Sequence, residues 1–319
     1  MNFSNKLIDW YNSNKRDLPW RRTKDPYKIW VSEIILQQTR IEQGEKYYHK
    51  FLKKYPNITS LSNTNNNELL KIWEGLGYYS RARNLKKTAQ IIIKNYRGKI
   101  PDNFESLKSL PGIGDYTASA ILAIAFNKPF IPLDGNIERV LKRYLYLKKE
   151  TEIQKKNLIK KKLVFGKSKR SSDYAQALME LGAIICKPNN PLCDQCPISR
   201  KCKSFKINDF EISKNIKRNV KKYFIIKVYK KNKKYLIVKN TKFNFLKNLG
   251  IFPMDEMIKP TNFNKNLKLK MSNMDMNIKI KYSKQNKKLP LSYWIDKQKI
   301  DDYMLPTFTK KVVEYLERE

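Results

Sequence analysis

All four cysteines of this 319-residue chain fall within seventeen positions, as Cys186-x6-Cys193-x2-Cys196-x5-Cys202. Four soft thiolates brought together by short loops form the ligand set of an all-cysteine iron–sulfur cluster or a structural zinc. Two disulfides are the competing reading. They are disfavoured because cysteine is otherwise absent from a long chain that shows no secretory signal. A reducing, intracellular location follows as the expectation.

The length admits two domains, each with enough chain for a buried core. Lys and Arg number 67 against 29 Asp and Glu, a formal net charge of +38 and a pI near 9.9. Such an excess points to a polyanionic partner such as DNA or RNA. A Lys-, Asn- and Ile-rich usage also arises in an AT-biased genome, so charge alone does not decide the matter. The longest clean apolar stretch, residues 118–126 with Ser119 inside it, is far below the ~20 residues of a membrane span. A soluble protein without a membrane partner is expected.

The chain changes character near residue 210. Over residues 1–205, a mostly apolar stripe through Tyr27, Trp30, Val31, Ile34, Gln38 and Ile41 recurs at three and four residues, and a run from Asp173 to Ile185 leads into Cys186. This part reads as all-helical. Residues 206–221 are Lys- and Asn-rich and read as a linker. Beyond them, Tyr223–Tyr229 and Tyr235–Val238 flank a Lys-Lys-Asn-Lys-Lys turn and read as a β-hairpin, with strands expected at 267–271 and 276–282 and a closing helix from Phe308 to Leu316. No internal repeat is visible.

Residues 106–122, Ser-Leu-Lys-Ser-Leu-Pro-Gly-Ile-Gly-Asp-Tyr-Thr-Ala-Ser-Ala-Ile-Leu, predict two short helices around a tight turn. Asp102 and Glu105 suggest a capping box for the first, Pro111-Gly-Ile-Gly114 breaks it, and Asp115 opens a second that runs to about Phe126. A turn through Gly112 and Gly114 leaves backbone N–H groups at a helix N-terminus, where phosphate binds favourably. On the Gly-x-Gly alone, a bare turn between helices is the simpler reading. Leu-Pro-Gly-Ile-Gly between two short helices is more specific and resembles the helix-hairpin-helix element of DNA repair glycosylases.

Residues 1–205 as a whole resemble the adenine DNA glycosylases of the MutY type, relatives of endonuclease III. The resemblance is carried by Leu18-Pro-Trp-Arg21, the segment Asp25–Glu33, Leu36-Gln-Gln-Thr39, Gly75-Leu-Gly-Tyr-Tyr-Ser-Arg81, Leu133-Asp-Gly-Asn136 and the cysteine loop, all in the family's order. It implies a [4Fe–4S] cluster, rather than zinc, on Cys186, Cys193, Cys196 and Cys202. It also implies that hairpin and cluster lie in separate helical lobes flanking a cleft.

Breaking the N-glycosidic bond of adenine requires a proton for the leaving base, stabilisation of an oxocarbenium-like sugar, and a nucleotide swung out of the stack. By resemblance, Glu33 protonates the adenine and then handles the incoming water; read without the family, it is an ordinary helix-surface Glu beside Gln37 and Arg40. Asp134 reads unaided as the N-cap of the following helix, and by resemblance its carboxylate stabilises the sugar cation. The two pKa values are expected to be pushed apart, with Glu33 protonated and Asp134 ionised. Tyr116 stands where relatives that also cut the strand carry a lysine nucleophile, which argues against a true lyase. Asn136 joins it in hydrogen-bonding near the catalytic pair. Lys128 and Lys142 are the nearby amines, and Glu138 occupies a position where some members carry Lys, leaving Arg139 to supply any electrostatic help.

For recognition, the resemblance assigns Gln38 and Tyr78 as wedges into the base stack, with Leu76, Thr39 and Arg21 close to the adenine pocket and the orphaned base. Arg81 and Arg83 would suit phosphates. The C-terminal part resembles, more weakly, the Nudix-like domain with which these enzymes read oxidised guanine. It lacks the Glu-rich magnesium helix of a working Nudix hydrolase and should bind without hydrolysing. Where the family's reading loop has Phe-Ser-His, this chain has Met271-Ser272-Asn273; Ser272 remains able to hydrogen-bond the oxidised base.

The combined expectation is an α + (α/β) protein: a helical glycosylase domain over 1–205, a linker over 206–221 and a Nudix-like α/β domain over 222–319. Its function would be monofunctional excision of adenine opposite 8-oxoguanine or guanine in double-stranded DNA, by a cytoplasmic, nucleoid-associated monomer. The rival readings are an endonuclease III-like glycosylase/lyase for oxidised pyrimidines and a lesion-binding protein without catalysis.

Overall fold

A computed structural model describes residues 3–148, 169–211, 219–258, 267–271, 273–284, 289–303 and 305–318. Residues 212–218 of the expected linker, and Ser272, lie outside the described residues. The chain divides into two compact units, Met1–Thr64 with Arg83–Lys214, and Asn65–Ala82 with Asn215–Glu319.

The helices in chain order are α1 (Phe3–Asn14), α2 (Pro26–Leu36), α3 (Ile41–Lys54), α4 (Ile58–Asn63), α5 (Asn66–Ile72), α6 (Ser80–Tyr96), α7 (Phe104–Lys108), α8 (Asp115–Ile124) and α9 (Gly135–Leu145), followed by the Ser171–Ile184 helix. In the first unit, α2 starts where Asp25 accepts a hydrogen bond from the Tyr27 N–H and Pro26 fits the first turn. It is enclosed on almost every side, burying every residue from Ile29 to Ile35. The expected stripe through Gln38 is therefore cut short: α2 ends at Leu36, and Gln38 adopts a left-handed backbone with φ 58°. Eight successive residues of α8, Thr117–Ile124, are buried, and the alanines among them admit close helix contacts. Ile29 of α2, Ala120, Ala123 and Ile124 of α8 and Ala175 of the Ser171–Ile184 helix form one core cluster. A second joins α1, α9 and that same helix through Leu7, Tyr11, Ile137, Leu141, Leu178 and Leu181. The helices that carry the candidate carboxylates are thus locked together by their apolar faces.

The second unit contains two four-stranded sheets. Its strands are β1 (Val220–Val228), β2 (Lys230–Lys231), β3 (Lys234–Lys239), β4 (Gly250–Ile251), β5 (Met254–Met257), β6 (Leu267–Met271), β7 (Met274–Tyr282) and β8 (Ser292–Asp296). One sheet runs β5-β1-β7-β6; in the other, β3 pairs with β2, β4 and β8. The expected hairpin forms only at its tip, where the two-residue β2 pairs antiparallel with β3 across the lysine turn. β1 itself does not pair with β3; it pairs in parallel with β7 along its whole length and antiparallel with β5. Alternating sequence marks a strand and its buried face but leaves the partner open. Phe224, Ile226 and Val228 of one sheet, Tyr235 and Ile237 of the other, and Phe308, Val312 and Leu316 of the Thr307–Leu316 helix share one core. Among the described residues no helix is long and apolar enough to cross a membrane.

Candidate active site

A cavity of about 400 Å³ in the first unit is lined by Glu33, Tyr116, Asp134 and Asn136, together with Arg21, Gln38 and Thr39. Glu33 is only 7% exposed, which overturns the helix-surface reading. Burial pushes its carboxyl up to about 7; nearby Asp134 adds to the rise, and the Tyr116 hydroxyl, donating to Oε2 at 2.7 Å, opposes it. A carboxyl that titrates near physiological pH can hold a proton there and give it up.

Asp134 is the N-cap of α9: Oδ1 accepts from the Ile137 N–H at 2.7 Å and Oδ2 from the Asn136 amide at 3.1 Å. Burial raises its pKa as well, against these hydrogen bonds and the charge of Arg139, all of which favour the carboxylate. Both acids therefore shift upward. The expected opposite displacement of the two is therefore not what burial produces, although more donors favour the carboxylate at Asp134 than at Glu33. Asn136 is held in turn by Arg139, whose Nη2 donates to Asn136 Oδ1 at 2.8 Å and to the Gly182 carbonyl at 2.7 Å, while Nε donates to the Cys186 carbonyl at 2.7 Å. Arg139 is thereby committed to the protein, and the Lys142 amine to Glu138 at 2.6 Å. Lys128 pairs with Asp102. Among the described residues, no lysine lines the cavity.

Sequence reading missed the opposite wall. Glu180 is fully buried and accepts from Arg16 through its backbone N–H at 3.0 Å, its Nε at 2.8 Å and its Nη2 at 2.8 Å, and from Arg21 Nη2 at 2.7 Å. Burial acts to raise its pKa, but these hydrogen bonds win and hold it at about 2. The available signal was one acid inside the apolar run Leu178-Met-Glu-Leu-Gly-Ala-Ile-Ile185, since a buried carboxylate is rare unless paired. Gln176, also on this wall, hydrogen-bonds Ser172.

The hairpin lies between α7 and α8. Its cap is Asn103, which accepts from the Ser106 N–H, rather than the expected Asp102; Asp102 is engaged by Lys128. Gly112 has φ 78°, and a Cβ there would lie 2.8 Å from Asn84 Cβ. Among the described residues, the N–H groups of Gly112 and Gly114 find no acceptor in the protein, leaving them available to an anion.

Tyr78, 44% exposed with φ 45°, belongs to the second unit. The turn that presents it is fixed by Trp73 Nε1 donating to the Gly77 carbonyl at 3.0 Å and by Arg81 Nη2 donating to the Leu76 carbonyl at 3.1 Å. Leu76 is buried and, like Tyr78, is not among the residues lining the cavity. Arg81 is buried against the Trp73 and Tyr78 rings, so it serves the turn rather than a phosphate.

Cys186, Cys193, Cys196 and Cys202 line one small apolar cavity of about 30 Å³ with Val140, Leu181 and Ile198. Arg143 closes it, donating to the carbonyls of Lys187, Pro188 and Phe210 and approaching Cys186 Sγ at 3.6 Å. Among the described residues, no three His, Cys, Asp or Glu side chains are arranged to hold a single metal ion.

The helical fold, the glycine hairpin and the cavity with its raised, buried carboxyl near a capped aspartate fit the class of base-excision DNA glycosylases. The family model for HhH-GPD superfamily base excision DNA repair proteins matches residues 31–164. A thermostable thymine-DNA glycosylase structure superposes with a TM-score of 0.60 at 32% identity, over 64% of this chain and 95% of that one. The adenine DNA glycosylase of Buchnera aphidicola subsp. Baizongia pistaciae is 40% identical over 235 residues, 72% of this chain and 67% of its own length. That of Buchnera aphidicola subsp. Schizaphis graminum is 36% identical over 279 residues, 84% and 80% respectively. The human adenine DNA glycosylase is 38% identical over 63% of this chain and 39% of its own. This chain belongs to the adenine DNA glycosylase family, enzymes of base excision repair.

Proposed function

We propose that the protein hydrolyses the N-glycosidic bond of adenine mispaired with 8-oxoguanine or guanine, leaving an abasic site without cutting the strand. The observation that carries this reading is the buried Glu33 carboxyl, its pKa pushed up to about 7, which accepts from Tyr116 and shares with Asp134 a cavity that no lysine lines among the described residues. Glu33 gives its proton to the departing adenine, which takes the electron pair of the C1′–N9 bond. The Asp134 carboxylate, oriented by Ile137 N–H and Asn136, stabilises the sugar cation. Water then adds at C1′ and returns a proton to Glu33. Arg16, Arg21 and Glu180 form a fixed polar wall that orients the base. Gln38 and Tyr78 wedge into the stack; both are exposed and in left-handed backbone, a conformation that costs free energy and is retained at functional positions.

The four cysteines suit a [4Fe–4S] cluster: all four line one apolar cavity beside Val140 and Arg143 of α9. When bound, such a cluster supplies a structural brace that holds the loop against α9. The domain division proposed is 1–205, 206–221 and 222–319, the last a Nudix-like reader of the oxidised base, in a monomer bound to duplex DNA.

Single-turnover incubation with duplex carrying one adenine opposite 8-oxoguanine tests the reading. Strand breaks that appear only after alkali are expected. Breaks without alkali would establish a lyase, and tight binding with no excision would establish a non-catalytic lesion binder.

A further inference from the structure

The sheet β5-β1-β7-β6 buries one face in the core through Phe224, Ile226, Met276 and Ile278. Strand register defines its other face. Lys221, Tyr223, Ile225 and Lys227 of β1 lie beside Asp275, Asn277, Lys279 and Lys281 of β7, and Asn277 and Asp275 lie beside Lys268 and Lys270 of β6. Lys221, Lys268, Lys270, Lys279 and Lys281 are all exposed.

The carboxylates of this sheet are unevenly spent. Asp255 and Glu256 on β5 neutralise Lys227, Lys242 and Lys222 at one edge. Among the described residues, none of the five exposed lysines has an ion-pair partner. Lys281 sits beside Lys227 in the parallel register of β1 and β7, and it is Lys227 that takes the Asp255 carboxylate. Edge-strand lysines often serve only to prevent aggregation, which would account for Lys268 and Lys270 on β6. At Lys279 and Lys281, β7 pairs with β1 but, among the described residues, no longer with β6, whose register ends at Ile278, so the edge reading extends to them and only the binding measurement below separates it from a binding face.

We propose that this lysine face is a second, sequence-independent DNA contact that binds duplex phosphates and leaves the chemistry untouched. A flat array of ammonium groups around Tyr223 and Ile225 matches the charge of a phosphate backbone, and neutralised phosphates release counterions. The proposal rests on the DNA-repair reading above.

The test is the salt dependence of binding to undamaged duplex. Combining Lys268→Gln, Lys270→Gln, Lys279→Gln and Lys281→Gln should make the slope of log K against log salt shallower by about 3 to 4, since each contact contributes about 0.9. Affinity near 0.1 M salt should fall at least about tenfold. The matched variant Lys230→Gln, Lys231→Gln, Lys233→Gln, Lys234→Gln, at the exposed β2–β3 turn, should change the slope far less. Replacing the same four sheet lysines by Arg should preserve it. Single-turnover excision at saturating protein should be unchanged in all three.

An unchanged slope in the sheet variant, or an equal loss in both Gln variants, would overturn the proposal. So would loss of the slope in the Arg variant, because packing rather than charge would then be responsible. Failure of the wild-type protein to excise adenine would sink the catalytic reading and leave this binding measurement standing.

Discussion

At the scale of single residues, Glu33 carries two opposed consequences. Its carboxyl is raised from 4.5 to about 7 by burial, so its neutral form dominates below 7. Excision that needs the proton should therefore fall as pH rises through 7. Tyr116→Phe removes the hydrogen bond that opposes the rise, so the alkaline limb of the rate profile should move to higher pH; a limb moving down would contradict the assignment. The same shift bears on stability. A carboxyl whose folded pKa is raised contributes fully below 4.5 and loses that contribution as pH climbs through 7, a loss of about 3 kcal/mol. Glu33→Gln should accordingly lower single-turnover excision at least ~100-fold yet melt at a higher temperature than wild type at pH 8, the difference closing toward pH 4. Sequence alone placed Glu33 on an exposed helix edge, because periodicity records the apolar stripe but not how many neighbours enclose a helix. Its proposed role comes from the motif order, which periodicity does not register.

At the scale of elements, strand and helix positions were legible and their partners were not. Both long strands of the expected hairpin exist, but in different sheets, because partner choice depends on β7 and β8, more than thirty residues away in sequence. The Asp134 cap was readable, since side chain and helix start are three residues apart. The Arg139 link from Asn136 to Cys186 was not, since it spans 47 residues. Loss of that link through Arg139→Gln should lower the excision rate at saturating DNA by about tenfold or more while leaving Kd for undamaged duplex unchanged. A purely structural role would instead lower both in proportion to folded protein. In the hairpin, Gly112→Ala must place a Cβ in left-handed backbone and against Asn84. A destabilisation of about 1–2 kcal/mol and weaker duplex binding are expected, measured by denaturant unfolding and by titration.

At the scale of the whole molecule, the charge of +38 works against the folded state. Like charges in a compact chain repel, and screening relieves them. The free protein should therefore melt at a higher temperature as salt rises from ~0.05 to ~0.5 M. With duplex DNA the sign reverses. Ligand binding to the folded state adds about 2.7 kcal/mol at a hundredfold excess over Kd, equivalent to very roughly 4 °C or more in a protein of this size. That increment vanishes as salt weakens phosphate contacts. Melting curves with and without undamaged duplex should consequently converge from opposite directions as salt increases. Parallel curves would mean that the lysines only solvate the surface, and that the excess charge reflects composition rather than a polyanionic partner.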